Sequence, residues 1–297
     1  MNIPTPEEVL EKLVAWGNAQ LTVRAIILTS SLARPGAPVD LLSDYDIVFA
    51  VTNPERFAQE DGWMSEYGEL MVRWGDQGEL LGQTTYFWGL VYVDYVKVDY
   101  TFWPDTLLER ITAEEALPEE LDAGYRVLLD KDGRTAGWKS PTYQAYIPPI
   151  PTEAEYRALV EEFWWTTTYV AKSLWRDELV FSKFCLDYDI KLTAMRRMLE
   201  WRIEIDHNWS VRLGVLGRRL KRLLPRDIWE ELVSTYVGPE IEQNWDALFR
   251  TLPLFRQVAK EVGDALGYTY PQQVDDRVSA YLQAIHQLPP HGISNRP

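Results

Sequence analysis

Apolar and polar residues alternate strictly through Tyr95-Val96-Lys97-Val98-Asp99-Tyr100-Thr101-Phe102-Trp103. In a strand this places Val96, Val98, Tyr100 and Phe102 on one face, for the core, and Lys97, Asp99 and Thr101 on the other. The same pattern predicts strands over 24–30 and 45–51 and a short one from Met71 to Trp74. It also predicts a hairpin of Thr84 to Val93 with Tyr95 to Trp103 that turns near Asp94, and a strand from Tyr125 to Leu129 ending in Asp130-Lys131-Asp132-Gly133. Thr5 and Glu8 form a capping box with Pro6 at the first helical position, so a helix should run to about Asn18. An acid-rich stretch over 54–68 reads as helical, and Thr112 with Glu115 reads as the cap of another short helix. Helices alternating with strands indicate an α/β or α+β unit.

The pattern changes at Tyr146-Ile147-Pro148-Pro149-Ile150-Pro151, where three prolines exclude regular structure. Thr152 and Glu155 then form a capping box. Tyr156, Leu159, Val160, Phe163, Trp164, Thr167, Val170, Ala171 and Leu174 follow at helical spacing. Further amphipathic stretches run from Ile190 to Ile203, Trp245 to Gly263 and Val274 to Gln287. The expected organisation is a first domain over 1–147, a helical domain over 152–288 and a frayed tail over 289–297.

The chain has 297 residues, 46% of them hydrophobic, which is ample for a core. No apolar run approaches the roughly 20 residues of a spanning helix and no leader pattern is visible, so a cytoplasmic location without membrane contact is expected. The single cysteine, Cys185, and the scattered His207, His286 and His291 give no zinc spacing. A formal charge of −15, from 45 acidic and 30 basic residues, disfavours nucleic acid and suits a cationic ligand. Thirteen tryptophans and 16 tyrosines can wall a pocket for a bulky polar molecule.

The chemistry concentrates at Asp44-Tyr45-Asp46, at the head of the apolar strand Ile47-Val48-Phe49. Two carboxylates spaced by one residue project to the same side of a strand and can hold a hard cation. Upstream, Thr29-Ser30-Ser31 is a turn of small hydroxyl residues fit to approach phosphate. Asp99 is an acid in the middle of an apolar strand, which is costly unless it coordinates metal or is paired, with Lys97 or an arginine. Three aspartates on two neighbouring strands suit Mg2+ and an in-line phosphoryl displacement. Asp99 is the first candidate for the base that takes the attacking hydroxyl's proton. Asp177, Glu178 and Asp187 of the helical half are alternatives, as bases or as clamps for cationic groups.

These motifs resemble the aminoglycoside 6-adenylyltransferase (streptomycin adenylyltransferase) family of the polymerase-β-like nucleotidyltransferase superfamily. The likeness covers nearly the whole length. In the first half it rests on the Ser-containing turn, Asp44-Tyr45-Asp46, Lys97-Val98-Asp99-Tyr100-Thr101 and Leu129-Asp130-Lys131-Asp132-Gly133. In the helical half it rests on Glu162-Phe163-Trp164-Trp165, Thr168-Tyr169-Val170-Ala171-Lys172, Leu174-Trp175-Arg176-Asp177-Glu178-Leu179, Met198-Leu199-Glu200-Trp201 and Asn244-Trp245-Asp246-Ala247-Leu248-Phe249. The resemblance implies an α+β fold, a nucleotidyltransferase mixed sheet flanked by helices followed by a C-terminal helical bundle. It implies that Asp44, Asp46 and Asp99 bind Mg2+ and organise ATP, that Ser30, Ser31 and Lys172 contact phosphate, and that a cationic aminoglycoside receives AMP. Trp165, Asp177, Glu178 and Asp187 are the residues expected to meet that acceptor. The family commonly shows Gly-Ser-Arg where this chain has Ser30-Ser31-Leu32, so a glycine and an arginine are lost, and Arg34 is a candidate to replace the arginine.

Overall fold

The computed structural model describes residues 3–289, which divide into two compact units that meet in sequence between Ala145 and Tyr146. Residues 290–297 of the expected tail lie outside the described residues.

The first unit opens with α1 (Pro6–Ala19), whose Thr5–Glu8 capping box is complete. It continues through β1 (Val23–Thr29), α2 (Ser30–Ala33), β2 (Tyr45–Val51), α3 (Pro54–Gln59), β3 (Leu70–Leu80), β4 (Gln83–Tyr92) and β5 (Lys97–Pro104). α4 (Leu107–Ala113), α5 (Glu119–Asp122) and β6 (Tyr125–Asp130) complete it. The six strands form one mixed sheet in the order β3-β4-β5-β2-β1-β6, in which β2 and β5 run parallel and the other neighbours antiparallel.

Period two divides each strand between the sheet's faces. On one face Ile26, Leu28, Ile47, Phe49, Val98, Tyr100 and Phe102 bury against Val9 and Leu13 of α1 and Phe57 of α3. On the other face Ala25, Ile27, Val48, Ala50 and Trp103 bury against Leu107, Leu108 and Ile111 of α4. This second core covers only the far ends of β2 and β5. The head of the same face carries Asp46 and Asp99.

Three expectations for this unit are corrected. The stretch 54–68 is not one helix: α3 stops at Gln59 and a separate 3-10 turn spans Gly62–Ser65. The strand expected over Met71 to Trp74 runs on to Leu80, its glycines and aspartate being strand residues here. Thr112 does not cap a helix with Glu115. It lies in the last turn of α4, and its hydroxyl donates to the Leu108 carbonyl.

The second unit is helical: α6 (Glu153–Trp175), α7 (Leu179–Lys183), a π-helical segment (Phe184–Met195), α8 (Arg196–Asp206), α9 (Leu220–Leu223), α10 (Arg226–Ser234), α11 (Ile241–Leu266) and α12 (Gln272–His286). The Thr152–Glu155 box opens α6. Phe163 and Trp164 of α6, Leu199 of α8 and Phe255 of α11 share one core. Arg256 donates to both oxygens of the buried Asp275, at 2.5 and 2.6 Å, and so ties α11 to α12. The stretch expected over Ile190 to Ile203 begins earlier, and its first part winds as a π-helix of 12 residues. Among the described residues no helix is long and apolar enough to cross a membrane.

Candidate active site

β2 and β5 set the geometry. As parallel neighbours they pair Asp46 directly with Asp99, and Val48 and Ala50 lie opposite Thr101 and Trp103 further down the same face. The apolar ends of both strands are anchored in the core, so their acidic heads are held side by side. Asp44 precedes β2 by one residue and meets Lys97, whose Nζ lies 2.7 Å from Asp44 Oδ2 and 3.0 Å from Asp99 Oδ2. The structure therefore brings together all three predicted carboxylates and places a lysine between two of them.

Charge is crowded at this point. Burial, then the neighbouring Asp99 and Asp44, push the Asp46 carboxyl up to about 6, while a hydrogen bond from Ser30 and the charge of Lys97 oppose the rise. Burial raises Asp99 as well, against the hydrogen bond from Lys97. For Lys97 burial works against the charged form, but the bonds to Asp44 and Asp99 outweigh it and raise its pKa. Asp99 Oδ1 is buried and has no hydrogen-bond partner. Beside it stands Gly89 of β4, where a β-carbon would come within 3.1 Å of that oxygen.

As the side chains stand, no group of three or more histidine, cysteine, aspartate or glutamate residues among the described residues is arranged to hold a metal ion. The Lys97 ammonium lies where Asp44 and Asp99 would otherwise converge. The donor set still fits a hard cation: three carboxylates are together, one oxygen is orphaned, and one carboxyl is driven toward protonation by burial and then by its acidic neighbours.

Ser30, at the start of α2, has a φ of 61°, in the left-handed region that glycine occupies freely, and Ser31 follows it in the same turn. Thr29 donates its hydroxyl to the Asp46 carbonyl at 3.3 Å, which ties this turn to β2. A cavity of about 200 Å³ opens beside Asp44 and Lys97, with Tyr45 and Tyr95 on its wall. It is smaller than the roughly 300–1,000 Å³ of pockets that enclose a ligand.

The remaining predicted residues belong to the second unit. Trp165 is exposed on α6 and packs edge-on against Tyr169 at 4.7 Å, and the Lys172 ammonium lies 4.3 Å from the centre of the Tyr169 ring. Asp177 and Glu178 are exposed at the turn after α6, where Asp177 has a φ of 60°. Asp187 differs from these. Its two oxygens bond Lys183 at 2.6 Å and the fully buried Lys191 at 2.8 Å. Burial alone would raise its pKa, but these two bonds outweigh burial and lower it. Lys191 also donates to the Thr235 carbonyl at 2.6 Å, so Asp187 is part of a structural network.

Sequence reasoning did not single out Lys97 as the bridge between two carboxylates, although the alternation already placed it beside Asp99. Gly89 gave no signal, because its importance depends on the register between β4 and β5.

The streptomycin adenylyltransferase family model matches residues 3–285. A Campylobacter jejuni protein named aminoglycoside 6-adenylyltransferase is 30% identical over 294 residues, covering 97% of this chain and 98% of the relative. A Bacillus subtilis (strain 168) protein of the same name is 31% identical over 268 residues, covering 89% and 92%. A crystal structure of an aminoglycoside 6-adenyltransferase from Bacillus subtilis aligns with a TM-score of 0.48 at 27% identity, covering 96% of this chain and 100% of that one. With a family match over nearly its whole length and relatives at 30% and 31% identity, the chain belongs to the streptomycin adenylyltransferase family and is a nucleotidyltransferase.

Proposed function

We propose that this enzyme transfers AMP from ATP to a hydroxyl of an aminoglycoside, with the 6-hydroxyl of streptomycin as the acceptor to test first. The observation that carries this reading is the Asp46–Asp99 pairing on parallel strands beside Asp44 and Lys97, a concentration of negative charge that calls for a cationic partner. Family membership supplies the reaction class, and the names of the relatives supply the acceptor class.

In this reading the acceptor oxygen attacks the α-phosphorus. A new O–P bond forms, the bond from the α-phosphorus to the bridging oxygen breaks, and pyrophosphate leaves with that electron pair. Asp99 accepts the hydroxyl proton. Ser30 and Ser31 contact the departing phosphates, and Lys97 releases Asp44 and Asp99 when a ligand cation takes its place. A bound Mg2+ would be held by Asp44, Asp46 and Asp99, and would neutralise phosphate charge and acidify the attacking hydroxyl. In the second unit, Lys172 is assigned to phosphate and Trp165, Asp177 and Glu178 to cationic groups of the acceptor.

The test is pyrophosphate release from Mg·ATP with and without streptomycin, with the product weighed by mass spectrometry, on wild type and Asp46→Asn. Streptomycin-dependent release and a mass gain of one AMP are expected, and Asp46→Asn should lose at least about a hundredfold in turnover. The variant should also be the more stable protein. Asp46 holds its proton more tightly folded than unfolded, so stability falls as pH rises from about 4 to about 6. Above that range asparagine removes a penalty of roughly 3 kcal/mol, which urea unfolding at pH 8 can measure. Full activity of Asp46→Asn would sink the assignment.

A second reading, nucleotide binding with slow turnover, is favoured by Ser30, which holds a left-handed backbone where the family motif has glycine. Tight Mg·ATP binding without pyrophosphate release for any acceptor would select it.

A further inference from the structure

The active face of the sheet continues past Asp99 to the β3 edge. Asp46 lies opposite Asp99, Asp99 opposite Gly89, and Gly89 opposite Trp74, so these four residues form one row across β2, β5, β4 and β3. Directly paired residues point to the same face, so Trp74 stands on the side of the sheet that carries the carboxylates. At the usual strand spacing its backbone is roughly 10 Å from that of Asp99. Between them Gly89 carries no side chain, and Asp99 Oδ1 and the Phe87 ring close over it, 3.1 and 3.5 Å from where a β-carbon would lie. Phe87, on the same face, packs its ring 5.8 Å from that of Trp74 at 59°.

Trp74 is 64% exposed, although the alternation of β3 could have turned it toward the covered side. That other side is occupied by Arg73, which lies over the Trp88 ring and pairs with Asp61. Asp76, two residues further along β3, is exposed on the Trp74 face. None of the β3 and β4 residues on this face is basic. Two aromatic rings and flanking carboxylates attract a ring-shaped cation and repel phosphate.

We propose that Trp74, Phe87, Gly89 and Asp76 form a subsite that seats a cationic sugar ring of the acceptor next to Asp99. The assignment rests on the reaction proposed above. In an in-line displacement the entering group approaches opposite the leaving group. Pyrophosphate is assigned to Ser30 and Ser31, which follow β1, and β1 flanks β2 on the side away from β5. The entering hydroxyl therefore comes over β5 and β4. The Trp74 face contributes binding and orientation, and the proton is taken by Asp99.

The experiment uses the full chain, with streptomycin as the probe. Binding is measured by calorimetry, and AMP transfer by steady-state kinetics, for wild type, Trp74→Ala and Trp74→Phe. Trp74→Ala should raise the streptomycin Kd and KM about tenfold, with the KM for ATP and kcat unchanged, and Trp74→Phe should recover most of the loss. Equal streptomycin affinity in wild type and Trp74→Ala, no binding to either, or a shift in the KM for ATP instead would each overturn the subsite. Trp74-dependent binding of streptomycin that never acquires AMP would uphold the subsite and sink the proposed reaction.

Discussion

Ser30 carries a conflict that one substitution can expose. Its φ of 61° places a β-carbon where an L-residue pays about 1–2 kcal/mol, yet its hydroxyl stabilises the ionised form of Asp46. Ser30→Gly should therefore raise stability by about 1 kcal/mol below about pH 4, where Asp46 is protonated folded and unfolded, and weaken catalysis at acid pH. Without that donor the Asp46 carboxylate loses a hydrogen bond, so its pKa moves above about 6. The acid limb of a kcat/KM profile against pH should shift upward with it, and an unshifted limb would remove Ser30 from this role. Lys97 is the complementary case. A lysine bonded to two carboxylates keeps an acidic cluster tolerable without a ligand, and the same bonds must be given up when a ligand cation arrives.

Among the elements, the β3–β4 ribbon depends on a glycine whose purpose appears only in the pairing. Gly75 lies opposite Trp88, and a β-carbon there would come within 2.6 Å of the indole. Gly75→Ala should destabilise the protein by about 1–3 kcal/mol in urea unfolding, as overpacking does. The same residue explains why the sequence pattern predicts a shorter β3 than the fold has. Gly75, Asp76 and Gly78 have the composition of a turn, and only a partner strand makes them a strand. Strands with a buried face were legible because period two survives in the sequence, as in Val96 to Phe102. The capping boxes at Thr5 and Thr152 were legible because the cap is local chemistry. Thr112–Glu115 imitated that signal, but the helix had already begun at Leu107 without a side-chain cap. The π-helix was invisible to helical spacing. It buries Lys191 against Asp187 and the Thr235 carbonyl, which no hydrophobic pattern would assign to a lysine. The three candidate carboxylates could be named from the chain, whereas the row from Trp74 to Asp46 needs a register the sequence does not state.

At the scale of the whole molecule, the charge of −15 acts on encounter. An acidic protein draws a cationic acceptor from beyond contact range, and salt screens that attraction over about 10 Å at 0.1 M. Raising NaCl from about 0.02 to about 0.5 M should lower kcat/KM for streptomycin several-fold and leave kcat nearly unchanged; a salt-independent kcat/KM would show that the net charge plays no part in capture. The parallel contact between β2 and β5 has a consequence in time. Strand pairs joined by short turns, such as β3 with β4 and β4 with β5, can close early and locally, whereas β2 meets β5 only after the whole intervening ribbon has been gathered in. Asp46 and Asp99 thus meet across a contact that needs the intervening ribbon in place, and that contact holds them together against their own repulsion.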